Sequence, residues 1–281
     1  MSPLRPMVPA TPRANTDAGQ NLRGLGIRAD RWLAEVIGRP AFRLTVPAQP
    51  ESGAAAAWRE ALRSHAAEHP NAFYDAKVPI EAVPAIRALT GAGLFLADVN
   101  LTFRRESAPE GIVPPAGSGI AVAPFAPADR EGVLEIAGSC FRYSRFHLDP
   151  LFSKEIADRV KRAWIKSCIE GERGDRLWVA RWDGRPVGFL AALTDARPSE
   201  RVRIIDLIGV DSRTQGRGIG RALVNQFIAE SSAEGSAMEI GTQAANGPSA
   251  RLHEGCGFRL VRAQAVLHGH AGRTILSEGG R

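Results

Sequence analysis

QGRGIG, residues 215–220, alternates three glycines with other residues between an isoleucine-rich stretch, RVRIIDLIGV, and a helical period, ALVNQFIAESSAEG. Glycine lacks a Cβ, so the backbone N–H groups of such a turn can close around an anion. The helix that follows adds the partial positive charge of its N-terminus. A phosphate or pyrophosphate is the guest this pattern suits. Spacing excludes two common nucleotide motifs. G-x-G-x-x-G fails because its sixth position is Arg221 counted from Gly216 and Leu223 counted from Gly218, and no G-K-[ST] closes a P-loop. The spacing that is filled is Q/R-x-x-G-x-G/A, by Gln215, Gly218 and Gly220.

A second chemical segment, ARLHEGCGF at 250–258, carries His253 near the end of a short helical stretch. Its unperturbed pKa of about 6.5 makes an imidazole a proton donor near neutral pH. Cys256 beside it could act as an acyl nucleophile, but nothing adjacent in sequence supplies an activating base, and a buried apolar thiol is the commoner state. A third candidate is the loop RYSRFHLDPL, in which Arg145, His147 and Asp149 cluster beside Phe146 and Leu148. It reads as too polar for the core and suits a lid over a bound polar molecule.

The elements that must position these residues follow from periodicity and breakers. AFRLTV is a strand, GAAAAWREALRSHAAEH at 53–69 a helix ending at Pro70, and 73–78 a strand. A helix over about 80–90 and the strand LFLADVNLTF at 94–103 complete a small mixed α/β unit. RRESAPEGIVPPAGSG has the charge, proline and glycine of a linker. Beyond it come the strand IAVAPF, the helices PADREGVLEIAGSCF and FSKEIADRVKRAWIKSCIEG, and two strands joined by Asp183-Gly184. The strand at 201–210, the glycine loop and its helix follow, then strand AMEIGT, the His253 helix and strand candidates around 258–268. No internal sequence repeat stands out. The divisions expected are a disordered tail at 1–21, a small α/β domain at 22–104, a linker at 105–118, the main domain at 119–272 and a tail at 273–281.

Composition bounds the function. The 281 residues are 44% hydrophobic and 23% charged, with no apolar run near membrane-spanning length, and the N-terminal stretch lacks the apolar core of a secretory signal. A cytoplasmic location is expected. Cys140, Cys168 and Cys256 are too scattered for a zinc site or a disulfide framework. The net charge of +6 comes from dispersed arginines, which makes nucleic acid an unfavoured partner.

With these motifs in place, the chain resembles the GNAT superfamily of acyl-CoA-dependent N-acyltransferases over roughly 119–270. The carriers are IGVDSRTQGRGIGRAL and NGPSARLHEGCGF, the latter similar to the family's N-x-x-A-x-x-L-Y-E-x-x-G-F at Asn246, Ala250, Leu252, Glu254, Gly257 and Phe258. The resemblance implies an α/β fold with a mixed sheet, here preceded by a smaller α/β N-terminal domain. It implies acetyl-CoA as co-substrate and no metal. The cofactor would be held by Leu207, Ile208, Gly209 and Val210 through their backbone, and by Gln215, Gly216, Arg217, Gly218, Ile219, Gly220, Arg221 and Asn246. His253 stands where the family places a tyrosine that protonates the leaving thiolate, and is the expected catalytic acid. The base for the amine stays open among Asp206, Asp211 and a water chain.

SCFRYSRFHLDPLFSKEIADRVKRAWIKSCIEG further resembles the TDP-fucosamine N-acetyltransferases at Ser144, Arg145, Phe146, Trp164 and Ile165, and the N-terminal unit agrees with that branch. This implies an amino sugar acceptor, nucleotide-linked, bound by Arg145, His147 and Asp149, with direct transfer through a ternary complex. It leaves a homodimer open. The alternatives are a GNAT acting on a protein or small-molecule amine, and a non-catalytic acyl-CoA-binding module.

Overall fold

A computed structural model describes residues 23–107 and 119–276. The expected tail at 1–21, most of the linker, and the end of the C-terminal tail lie outside the described residues. The chain opens with β1 (Gly26–Ala29), α1 (Arg31–Ile37), β2 (Ala41–Thr45), α2 (Ala54–Glu68), β3 (Phe73–Pro79), α3 (Val83–Gly91) and β4 (Phe95–Arg105). It continues with β5 (Ile120–Pro124), α4 (Arg130–Ala137), α5 (Arg145–Leu148), α6 (Lys154–Ile169), β6 (Arg176–Trp182), β7 (Arg185–Arg197) and β8 (Glu200–Val210). The last elements are α7 (Ile219–Ala233), β9 (Ala237–Gln243), α8 (Gly247–Gly255) and β10 (Arg259–His270).

All ten strands form one mixed α/β sheet in the order β1-β2-β3-β10-β4-β9-β8-β7-β6-β5. The N-terminal segment, expected as a small unit of its own, gives its last strand to the other half. β4 lies antiparallel between β9 and β10, and β10 lies antiparallel between β3 and β4. Hydrogen bonding between backbones, which is indifferent to sequence, is what allows the exchange.

The exchange reveals a repeat that the residues conceal. β2-α2-β3-α3-β4 and β8-α7-β9-α8-β10 have the same order, with parallel first pairs β2–β3 and β8–β9. Both α2 and α7 are entered through a left-handed glycine, Gly53 and Gly218, and α3 and α8 each carry proline in the first turn.

Helices cover both faces. α7 buries Ile219, Leu223, Val224, Phe227 and Ile228, the stripe its 3.6-residue period dictates, against Trp178, Leu190 and Ile240. α6 is capped by Ser153, which accepts the Ile156 N–H at 3.4 Å, and buries Ala157, Val160 and Ile165. α2 and α3 pack Trp58, Leu62, Ala85 and Leu89 onto the N-terminal strands.

The polar loop before α6 departs from the expectation. It forms α5, buries Phe146 with Phe73 and Phe152, and buries Asp149 to 1% exposure. The charge is tolerated because Asp149 Oδ2 faces His268 Nδ1 at 2.6 Å and His270 Nε2 at 2.9 Å, while Oδ1 accepts the Leu151 N–H at 2.8 Å.

Candidate active site

β8 pairs with β7 along its whole length, but with β9 only over Val202–Ile205. The cause lies at Asp206. Leu207 faces Ala191 and Ile205 faces Ala192, so Asp206 is one residue too many for its partner strand and makes a bulge. Asp206 is clamped from outside the sheet: Trp164 Nε1 donates to it at 2.7 Å, and Arg173 Nε and Nη2 donate at 2.6 Å. β8 then follows β7 while β9 follows β4, and the sheet opens between 206–210 and 241–243. The edge of 207–210 turned away from β7 offers unpaired amides and carbonyls to an extended guest.

Gly209 permits the strand's close approach to α4. A Cβ there would lie 2.8 Å from the Phe189 ring and 3.0 Å from Cys140 Sγ. At the end of the open edge, Gln215 Nε2 donates back to the Val210 carbonyl at 3.2 Å, folding the glycine loop onto the strand. Gly218 caps α7 at φ 82°, a conformation that costs other residues strain. The first intrahelical bond is from Ala222 N–H to the Gly218 carbonyl, which leaves the amides of 219–221 for a guest anion. Ile219 itself is buried and anchors the loop.

The remaining expected residues fall into place unequally. Arg217 stacks on Trp182, 4.8 Å from the ring centre, and Arg221 donates to the Gly255 carbonyl at 3.0 Å. Asn246 Oδ1 accepts the Ser249 N–H at 3.2 Å and so caps α8. His253 is fully buried, hydrogen-bonded through Nε2 to Ser249 Oγ at 2.9 Å and set edge-on to Phe103. Its Nδ1 is buried without a partner among the described residues. Burial pushes its pKa down to about 4, so the imidazole is neutral at pH 7, unlike the freely titrating group expected from type alone. Cys256 is buried, which raises its pKa and keeps it a thiol.

On the acceptor side, Arg145 Nη1 pairs with the buried Asp75 at 2.5 Å. His147 lies 2.6 Å from Ser144 Oγ and 3.0 Å from Asp158, and Asp149 is sealed by its two histidines. The structure therefore holds Arg145 against Asp75 of β3 and ties His147 and Asp149 into the loop that carries it. Of the two carboxylates considered as bases, Asp206 is occupied by its clamp. Asp211 accepts the Arg213 N–H at 3.0 Å, pairs with that guanidinium and makes the turn.

Sequence reasoning missed three charged residues. Asp98 lines a cleft with Val99, Leu148, Ala244 and Ala245, next to the end of β9. Burial raises its pKa to about 6 against the opposing pull of the Val99 N–H, Lys77 and Arg145. Lys77 and Asp98 face Val266 from opposite sides, so all three share one face of the sheet. Lys161 stands on α6, 4.9 Å from the rings of Phe141 and Trp164. No local motif marks any of them.

A parallel-paired strand that opens after a bulge, with a glycine loop and a helix N-terminus beyond it, can seat an extended guest that ends in an anionic group. Residues 131–258 match the acetyltransferase (GNAT) family model. Among its relatives, the spore coat polysaccharide biosynthesis protein SpsD of Bacillus subtilis is 28% identical over 146 residues, covering 52% of this chain and 49% of that one. N-acetylaspartate synthetase of Rattus norvegicus is 36% identical over 112 residues, covering 39% and 36%. The chain thus spans about half, or less, of the length of these curated relatives. The GCN5-related N-acetyltransferase from Sphaerobacter thermophilus shares the fold, with TM-score 0.58 at 15% identity, covering 88% of this chain and 76% of that one. No helix among the described residues is long and apolar enough to cross a membrane.

Proposed function

We propose that the protein transfers the acetyl group of acetyl-CoA directly to the amine of a nucleotide-linked amino sugar in a ternary complex. The observation that carries this is the position of the β8–β9 opening, between an anion-accepting helix terminus and the cleft at the end of β9 that holds Asp98 and Leu148 of α5. The resemblance to a polysaccharide biosynthesis protein supports the sugar. A second reading, an amino dicarboxylic acid acceptor, draws on the 36% identity to N-acetylaspartate synthetase.

The residues present fit acetyl-CoA. The open edge of 207–210 suits the pantetheine amides, the amides of 219–221 and Arg217 suit the pyrophosphate, and the orphaned His253 Nδ1 is a polar atom in search of a partner. Bound there, acetyl-CoA supplies an activated acyl carbon on a sulfur leaving group. Asp98, ionised above about pH 6, accepts the proton of the attacking amine. His253 stays neutral and donates an Nδ1–H hydrogen bond to the departing sulfur, with Ser249 Oγ–H satisfying Nε2. The thiolate then takes its proton from solvent.

Thiol release from acetyl-CoA across nucleotide-linked amino sugars, amino acids and peptide amines tests the acceptor. Turnover with the nucleotide-linked sugars and an acetyl amide in the product is expected. Turnover confined to amino dicarboxylic acids would select the second reading, and turnover on peptides would reject both. For His253→Phe, kcat should fall about 10- to 100-fold with the KM for acetyl-CoA held and the pH profile unshifted. Unchanged kcat would remove His253 from the reaction.

A further inference from the structure

The face of the sheet beneath α5 and α6 carries more positive charge than its own carboxylates can neutralise. Its ion pairs among the described residues are Arg145 with Asp75, Arg43 with Asp75, and Arg173 with Asp206. That leaves Lys77 and Lys161 without a carboxylate partner there. Lys77 is the more exposed of the two, whereas Lys161 is only 9% exposed, held over the aromatic rings of Phe141 and Trp164. Burying an ammonium without a counter-ion is costly, and the cost is recovered only when an anion joins it.

Lys77 lies two residues from Asp75 on the same face of β3, and Asp75 holds Arg145, so these two cations share one patch, with Lys161 of α6 within electrostatic reach. Lys161 feels the charges of Arg145, Lys77 and Asp206, and Lys77 feels those of Arg145, Asp75 and Asp98. Desolvation and, after it, this repulsion lower the pKa of both lysines to about 8, so both remain mostly charged at neutral pH. The site runs from Asp206, where the sheet opens, to Asp98 in the cleft. Arg145 is aimed into it by its pairing with Asp75 and by its stacking over Phe146, 4.5 Å from the ring centre.

We propose that Lys77, Arg145 and Lys161 form a subsite for an anionic group of the acceptor, a carboxylate or a phosphate, holding it with its amine toward the β8–β9 opening. This rests on the acetyl-transfer reading above and narrows its substrate class to amines that carry an anion. Neutral amines lack the group that the buried, unpaired Lys161 ammonium requires. A phosphate presents three acceptor oxygens and a carboxylate two, and either can bridge cations drawn from three separate elements. The arrangement also explains why the N-terminal half is needed at the site, since Lys77 and Asp98 both come from it.

Binding can be read without turnover from thermal unfolding of the protein saturated with CoA, whose own phosphate site is then filled. Inorganic pyrophosphate and succinate serve as probes. At least one should raise the unfolding temperature of the wild type. The shift should vanish in Lys161→Gln and in Lys77→Gln and persist in Lys154→Gln, a charge-matched change at an exposed position of α6. A shift with pyrophosphate alone assigns the anion to a phosphate, and with succinate alone to a carboxylate. No shift with either, or one that survives both lysine substitutions, overturns the subsite. In turnover, Lys161→Gln should lower kcat/KM for an anionic acceptor by about 10- to 100-fold while leaving the KM for acetyl-CoA in place. Anion-dependent stabilisation without acetyl transfer to any amine would keep the subsite and reject the proposed reaction.

Discussion

Asp149→Ala should destabilise the protein by about 3–5 kcal/mol, the range for removing the charged centre of a buried hydrogen-bond network. The carboxylate is held below its usual range because His268, His270 and the Leu151 N–H all point at it and outweigh its burial. Its removal takes the acceptor from His268 Nδ1 and His270 Nε2 inside the Phe73–Phe152 cluster, leaving His270 only its contact with Arg39 at Nδ1. Asp149→Asn should lose less, because the amide oxygen can still accept one of these bonds. Urea denaturation checks this: the midpoint should fall with an unchanged slope. A midpoint within error of the wild type would mean that the network is not what fixes α5 to β10. The expectation bears on the proposed function, because the same loop carries Leu148 to the cleft beside Asp98.

Asp98→Asn should lower kcat about 100- to 10,000-fold, the usual contribution of a positioned base. The sign of the pH dependence follows from the raised pKa. Below about pH 6 the wild-type carboxyl is protonated and cannot accept a proton. As pH rises through that value it ionises, and kcat/KM should rise to a plateau. The groups around Asp98 are Lys77 on β3, Arg145 on α5 and the Val99 N–H on its own strand. All three favour ionisation, and burial alone opposes it. A side-chain amide cannot titrate, so the Asp98→Asn variant should lose the step near pH 6 along with its rate. A wild-type profile flat across that region, or a variant that keeps the step, would assign the base elsewhere. His253 cannot supply the step, since its pKa lies near 4.

What the sequence revealed was what is local. The glycine loop shows itself in six consecutive residues because its function is carried by backbone, and backbone needs glycines at fixed spacing. The His253 helix is legible for a similar reason, with cap, proline and exit glycine packed into one segment. The orientation of that histidine was not legible, because burial against Phe103 depends on β4, which pairs with β9 from far away in the chain. The loop around Asp149 misled in an instructive way. Its polarity argued for solvent, but its partners are two histidines on β10, separated from it by 119 and 121 residues. The strand exchange stayed hidden because backbone ladders leave little trace in side-chain pattern. The proposed base and the proposed anion subsite stayed hidden because Asp98, Lys77 and Lys161 come from β4, β3 and α6. Each reads alone as an ordinary solvated charge.

The proposed acetyl transfer requires acetyl-CoA to sit where the sheet opens after Asp206. Amide hydrogen exchange with and without acetyl-CoA tests it most directly. Protection gained at 207–210 and at 216–221, with little change on β1 and β2, is the predicted result. Tight binding of acetyl-CoA that leaves both segments exchanging at their unliganded rates would contradict it.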